Sequence, residues 1–116
     1  MWLFTKYGFF SVVLAKKVRN GQVIEEPEPN SVMIRARRRK HLDALILRFS
    51  EFGNPEVLET RNTDYRYRAV VPRDAYAQVA KALATEVDYT NFKSECAKAM
   101  PDDQAYQEAL HNIWGV

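Results

Sequence analysis

The chain has 116 residues, of which 47% are hydrophobic and 28% are charged, and its formal net charge is +2. This composition predicts one folded domain, 1–116, with a real hydrophobic core, and it excludes a disordered chain. So small a net charge does not by itself indicate a polyanionic partner. The lone cysteine, Cys96, excludes an internal disulfide.

The first fifteen residues are strongly apolar. The run is too short to span a membrane, which takes about 20 apolar residues. No basic region precedes Trp2, and Lys6 and Gly8 interrupt the run, which argues against a secretory signal. We therefore expect a cytoplasmic protein that does not associate with a membrane.

The first half of the chain predicts two strands around an insertion at 18–30. Aromatic and β-branched residues dominate 9–17, as in a central strand. Asn20-Gly21 is a strong hairpin signal and predicts a return through 22–24. Residues 25–30 predict an exposed acidic loop, because prolines cannot join a hydrogen-bonded ladder. A second strand is expected at 31–38.

The second half predicts two more strands and the helices. Leu42, Leu45, Ile46 and Phe49 have helical spacing and predict a helix over 39–51. Strands are expected at 57–61 and 65–71, and a second helix from Pro72 to about 87. Two short helices form a C-terminal helical extension, 88–116, in which Cys96 is expected to be a core residue.

This order predicts an α+β fold, a ferredoxin-like ββαββα two-layer sandwich with a mostly antiparallel sheet and one or two extra C-terminal helices. The terminal helices either join the helical layer or cover the other face of the sheet. If they cover it, any charged residues on that face must be paired.

Arginines occupy every second position in two of the predicted strands, at Arg35, Arg37, Arg66 and Arg68. Because side chains two apart share a face of a strand, these four form what we call the arginine face, with Tyr65 and Tyr67 on the opposite side.

Two interpretations of the arginine face remain open. It could bind an anion, since the guanidinium fork matches carboxylate or phosphate oxygens. Alternatively, Glu59 and Asp64 could neutralise it as cross-strand ion pairs.

Two further polar segments are candidate binding sites. The basic run 37–41 lies at a strand-to-helix junction, where a bound anion would meet a helix N-terminus, but a solvated turn is the favoured interpretation. In 88–93, Thr90 or Asp88 could cap the next helix, and Asn91 and Lys93 could complete a small-ligand pocket.

The sequence carries no catalytic motif, and no cofactor is predicted. His41 and His111 lack metal-ligand spacing, so no metal site is predicted. An enzyme remains an alternative because active sites can be assembled from scattered residues. Its pocket would lie near Asp64, Arg68, Asn91, Lys93 and His111.

Several blocks carry a resemblance: residues 1–13, Arg35-Ala36-Arg37, 64–71, 88–93 and the stretch from Tyr106 to Trp114. Through them the chain resembles an uncharacterised family of small bacterial cytosolic proteins. The resemblance implies a bacterial, cytosolic, stand-alone domain and brings no activity or catalytic residue. The insertion at 18–30 departs from the family pattern.

Our leading hypothesis is a non-enzymatic binding or regulatory module that engages an anionic ligand or an acidic protein surface through the arginine face. Nucleic acid is possible but not favoured, because rings and guanidiniums are predicted on opposite faces. A protein–protein adaptor that uses exposed aromatics such as Trp2, Phe52 or Trp114 is a further alternative. The oligomeric state stays open.

Overall fold

The structure, a computed structural model, describes residues 1–113. Within them, five strands form one antiparallel sheet in the order β1-β2-β3-β5-β4. The strands are β1 (Trp2–Thr5), β2 (Gly8–Arg19), β3 (Gln22–Ala36), β4 (Leu58–Glu59) and β5 (Tyr67–Pro72). The helices are α1 (Arg39–Arg48), α2 (Arg73–Thr85), α3 (Phe92–Ala99) and α4 (Gln104–Asn112), with a 3₁₀ turn at Ser50–Phe52.

The predicted α+β class is confirmed, whereas this strand order does not confirm the ferredoxin-like arrangement. The helices in residues 1–113 include none with the length and apolar character needed to cross a membrane. The Asn20-Gly21 hairpin is confirmed, since both residues have positive φ, 51° and 77°.

The sequence pattern missed β1, which pairs with β2 from Trp2 opposite Ser11 to Thr5 opposite Gly8. Its residues do not alternate between apolar and polar because both sides of the strand are covered. Leu3 packs on the main core and Phe4 on the C-terminal helices.

The predicted acidic loop at 25–30 is wrong, because β3 runs through it and Pro27 lies opposite Lys16. β5 ends at Pro72, opposite Ser31, so the part of β3 before Ser31 has no β5 neighbour and is a sheet edge. Prolines are tolerated on an edge strand, because the N–H that they lack would have no partner strand there. Glu25 and Glu26 form ion pairs on the hairpin with Lys16, Lys17 and Arg19.

One face of the sheet forms the main core beneath α1 and α2. Its best-buried side chains include Phe10, Ile34, Leu42, Leu45, Phe49, Val71 and Val79. The C-terminal helices pack against the other face, but only at its β1–β2 end. There Cys96, Tyr106 and Leu110 meet Phe4 and Phe9. No described residue of β3 or β5 belongs to this second cluster, so the helices leave the arginine-bearing half of the face uncovered.

Candidate functional site

The arginine face centres on Arg35 and Arg68, which lie directly opposite each other on β3 and β5. Strand pairing continues the row to Ser11 on β2 and Leu58 on β4. Directly opposed residues of antiparallel strands project on the same side. The structure therefore brings two like charges together on the half of the sheet face that the C-terminal helices leave uncovered.

Both guanidiniums have neutral hydrogen-bond partners. Arg35 Nη2 donates to Ser11 Oγ at 2.7 Å, and Arg68 Nη2 donates to the Tyr65 carbonyl oxygen at 3.0 Å. The Nε atoms of both arginines are buried and lack a hydrogen-bond partner in the described structure. Burial, reinforced by the charge of Arg35, lowers the pKa of Arg68.

The predicted neutralisation of the arginine face holds for Arg66 alone. Glu59 Oε1 accepts from Arg66 Nε at 2.7 Å and lies 3.7 Å from Arg61 Nε. The hydrogen bond from Arg66 lowers the pKa of Glu59. Among residues 1–113, no carboxylate forms an ion pair with Arg35, Arg37 or Arg68, and the exposed Asp64 forms none either.

The prediction that Tyr65 lies opposite the arginines is wrong. Its ring centroid is 4.6 Å from the guanidinium carbon of Arg35 and 5.5 Å from that of Arg37. The alternation fails because β5 begins at Tyr67, two residues later. Tyr67 packs on the main core as predicted. Only 9% of Tyr65 is exposed, and its ring makes cation–π contacts with both arginines.

A buried His–Asp pair that the sequence analysis did not anticipate joins α1 to the start of α4. His41 Nε2 donates to Asp103 Oδ2 at 2.6 Å, and His41 Nδ1 accepts from the Phe9 N–H at 3.3 Å. Asp103 Oδ1 also accepts from the Tyr106 N–H and thereby caps α4. Since both ring nitrogens are engaged, His41 is a structural residue that fastens the C-terminal helices, without a free nitrogen for base catalysis.

The basic run 37–41 is explained by the same aspartate. Lys40 Nζ lies 3.4 Å from Asp103 Oδ2 and Arg38 Nη1 lies 3.8 Å from Oδ1, so this run is more than a solvated turn. A carboxylate of the chain itself therefore lies at the junction for which a bound anion was the alternative interpretation. One signal was available in the sequence: His41 precedes Leu45 by four residues and Phe49 by eight, which places it on the buried stripe of α1.

Burial and charge set the protonation of this pair. Burial lowers the pKa of His41, with Arg38 and Lys40 adding to the effect, although Asp103 opposes it. Burial alone would raise the pKa of Asp103, but hydrogen bonds from His41 and Tyr106 outweigh it and lower that pKa. The pair is therefore neutral imidazole with ionised carboxylate at neutral pH.

The remaining predicted site residues are not brought together. Asn91 Oδ1 accepts from the Ser94 N–H at 2.9 Å, so Asn91, rather than Thr90 or Asp88, caps α3. Asn91, Lys93 and His111 line three different cavities. The alternative enzyme pocket therefore gains no support from the geometry.

Two other predictions, on Cys96 and on the exposed aromatic residues, can be compared with the structure. Cys96 is fully buried, as predicted, and burial raises the pKa of its thiol to about 11. Phe52 is buried, so it cannot serve as an exposed adaptor residue, whereas Trp2 is 68% exposed. Trp114 lies outside the described residues. The residues described include no cluster of side chains suited to a metal ion.

The comparisons with known proteins gave no match: no family model and no curated protein matches the sequence, and no solved structure matches the fold. Membership of the small bacterial family therefore stays a prediction.

Proposed function

We propose that the protein is a non-enzymatic binding module whose arginine face takes an acidic segment of a partner protein. The observation that carries this proposal is the Arg35–Arg68 pair. Like charges directly opposite each other destabilise a sheet. Among residues 1–113, no carboxylate compensates them. A carboxylate from a partner, placed over the pair, would relieve the repulsion.

The neighbours of the pair favour a protein partner over a free phosphate. One row along the strands, Val13, Met33 and Val70 stand opposite one another on the same side of the sheet. Val70 and Leu58 are each about two-fifths exposed. Arginine and methionine are both enriched in protein–protein interfaces.

Nucleic acid is a weaker fit, because binding to single strands relies on aromatic rings that are free to stack on bases. Tyr65, the ring nearest to the arginines, is buried against them. From the resemblance we also propose that the protein acts in the bacterial cytoplasm.

The test is an NMR titration of the full chain with a short peptide of alternating leucine and glutamate, beside the same peptide with glutamine for glutamate. We expect the acidic peptide to shift the amides of Met33, Arg35, Arg68 and Val70, and the glutamine peptide to bind at least about tenfold more weakly, since charge-assisted hydrogen bonds are lost.

A single-stranded oligothymidylate is titrated in parallel. If it shifts the same amides while the acidic peptide shifts none, the proposal of an acidic protein partner is wrong. If neither probe moves them, the arginines are structural.

A further inference from the structure

A cavity of about 250 Å³ lies between the β1–β2 end of the sheet and α4. Aromatic rings and small apolar side chains dominate its walls. The lining residues are Phe4, Phe9, Arg37, Arg38, His41, Ala105, Tyr106 and Ala109.

The space is open because of the residues on the near side of α4. Ala105 and Ala109 are one helical turn apart, and their methyl groups are too short to fill the gap beside Phe4 and Phe9. The Phe4 and Phe9 rings are stacked with centroids 4.5 Å apart, and both line the cavity, which therefore has an aromatic wall.

The cavity is also preformed. The Tyr106 hydroxyl donates to the Thr5 carbonyl oxygen at 2.8 Å, and Asp103 ties the start of α4 to His41. Held at these two points, α4 cannot move down to close the gap. Preformed concave apolar sites with a few polar groups are the usual setting for small ligands.

The cavity presents a positive charge to its occupant. The guanidinium carbon of Arg37 is 5.9 Å from the centroid of the Phe9 ring, and Arg37 has no carboxylate partner in residues 1–113. Arg38 contributes a second guanidinium, only loosely paired with Asp103 at 3.8 Å. His41 offers no free nitrogen, because both are engaged.

We propose that this cavity binds a small aromatic carboxylate, with its ring against Phe4 and Phe9 and its carboxylate on Arg37. The volume lies below the roughly 300–1,000 Å³ of pockets for drug-sized ligands, so the ligand has one ring and a short acidic arm. A free phosphate would leave the aromatic wall unused, and a neutral aromatic would leave Arg37 unpaired. This inference goes beyond the proposed function, because it shares Arg37 with the arginine face but does not rest on the Arg35–Arg68 pair.

The probes are phenylpropionate, phenylpropionamide and acetate, each titrated into the full chain and followed by amide NMR shifts. We expect phenylpropionate to shift Phe9, Ala105 and Ala109. The neutral amide should bind at least about tenfold more weakly, because the charge-assisted hydrogen bond is lost, and acetate should not saturate.

Two variants separate the contribution of the space from that of the charge. Ala109→Leu fills the cavity and should weaken phenylpropionate binding at least tenfold. Ala84→Leu, on an exposed position of α2, is the matched control and should leave it unchanged. Arg37→Gln should remove the preference for the acid over the amide.

Equal binding by wild type and Ala109→Leu, or no binding of phenylpropionate at all, would overturn the proposal. Equal affinity for phenylpropionate and phenylpropionamide would overturn the proposal that Arg37 binds the carboxylate. The double variant Arg35→Ala/Arg68→Ala should retain phenylpropionate binding. Loss of phenylpropionate binding in that variant would show that the ligand does not bind in this cavity. Failure of the acidic peptide to bind would contradict the proposed function but not the cavity proposal.

Discussion

Arg35 and Arg68 face each other across adjacent antiparallel strands, and no carboxylate of the described chain lies between them. Their neutral partners, Ser11 and the Tyr65 carbonyl, hold the two guanidiniums in place without cancelling their charge. An arrangement that is unfavourable for the isolated domain is what a binding site for an acidic partner requires.

If the pair serves binding rather than folding, Arg68→Met should be tolerated. Methionine keeps the apolar stem while removing the repulsion and the buried unpaired Nε, and it loses the hydrogen bond to Tyr65. We expect the free energy of unfolding to rise, or to fall by less than about 1 kcal/mol, in urea denaturation. A loss above about 2 kcal/mol would mean that the pair is structural. Arg66→Met, on the same stretch but paired with Glu59, is the control for removing one arginine.

Asp103 should matter far more than its neighbour Asp102. Asp103→Ala removes the cap of α4 and leaves the buried Nε2–H of His41 without an acceptor, so we expect a loss of about 2–4 kcal/mol. Asp102→Ala, at an exposed position, should change the free energy of unfolding by less than about 0.5 kcal/mol. Hydrogen exchange should show the damage first in α3 and α4, and similar losses from both variants would contradict the role given to Asp103.

The His41 pair should make stability depend on pH. The pKa of His41 in the folded protein lies below its ordinary value of 6.5, so the unfolded chain binds the proton more tightly. The free energy of unfolding should therefore be highest above pH 6.5. It should fall as pH drops below that value, by up to about 1.4 kcal/mol per pH unit. Protonation also places a second donor opposite the Phe9 N–H.

Urea denaturation at pH 7.5 and 5.5 checks this dependence. His41→Gln, which keeps an amide donor for Asp103 but cannot titrate, should flatten it. His111→Gln, at an exposed position on α4, should not. An unchanged pH dependence in His41→Gln would show that another group is responsible.

Gly8 should not accept a side chain. Its φ is +140°, and a Cβ there would lie 2.2 Å from Cγ of His41. We expect Gly8→Ala to cost about 3 kcal/mol or more. Gly53→Ala, with φ of +68° and open space around it, should cost only about 1–2 kcal/mol. A Gly8→Ala cost no larger than that of Gly53→Ala would exclude the close contact with His41.

Local patterns predicted the elements well where one face alone is buried. The stripe of Leu42 and Leu45 gave α1, and Asn20-Gly21 gave the hairpin. The patterns failed where coverage comes from distant residues. β1 has no alternation because α3 and α4 cover its second side, and the strand at 25–30 was missed because its prolines lie on an edge whose position only the sheet order reveals.

The arginine site was predictable as a face but not as a pair. Alternation placed Arg35 and Arg68 on one side of the sheet, whereas their direct opposition depends on the β3–β5 register. The burial of His41 against Asp103 depends on a contact between residues 62 positions apart. The only sign of this contact in the sequence is weak: His41 lies on the same buried side of α1 as Leu45.

The dissociation constant of the acidic leucine–glutamate peptide, measured for two double variants, decides whether the binding site lies at Arg35 and Arg68. Arg35→Ala/Arg68→Ala and Arg19→Ala/Arg39→Ala remove the same charge, the latter from exposed pairs with Glu26 and Asp43. We expect at least about tenfold weaker binding for the first variant and little change for the second, with both folded. Equal weakening in the two variants would show that net charge alone attracts the peptide and would contradict a site at Arg35 and Arg68.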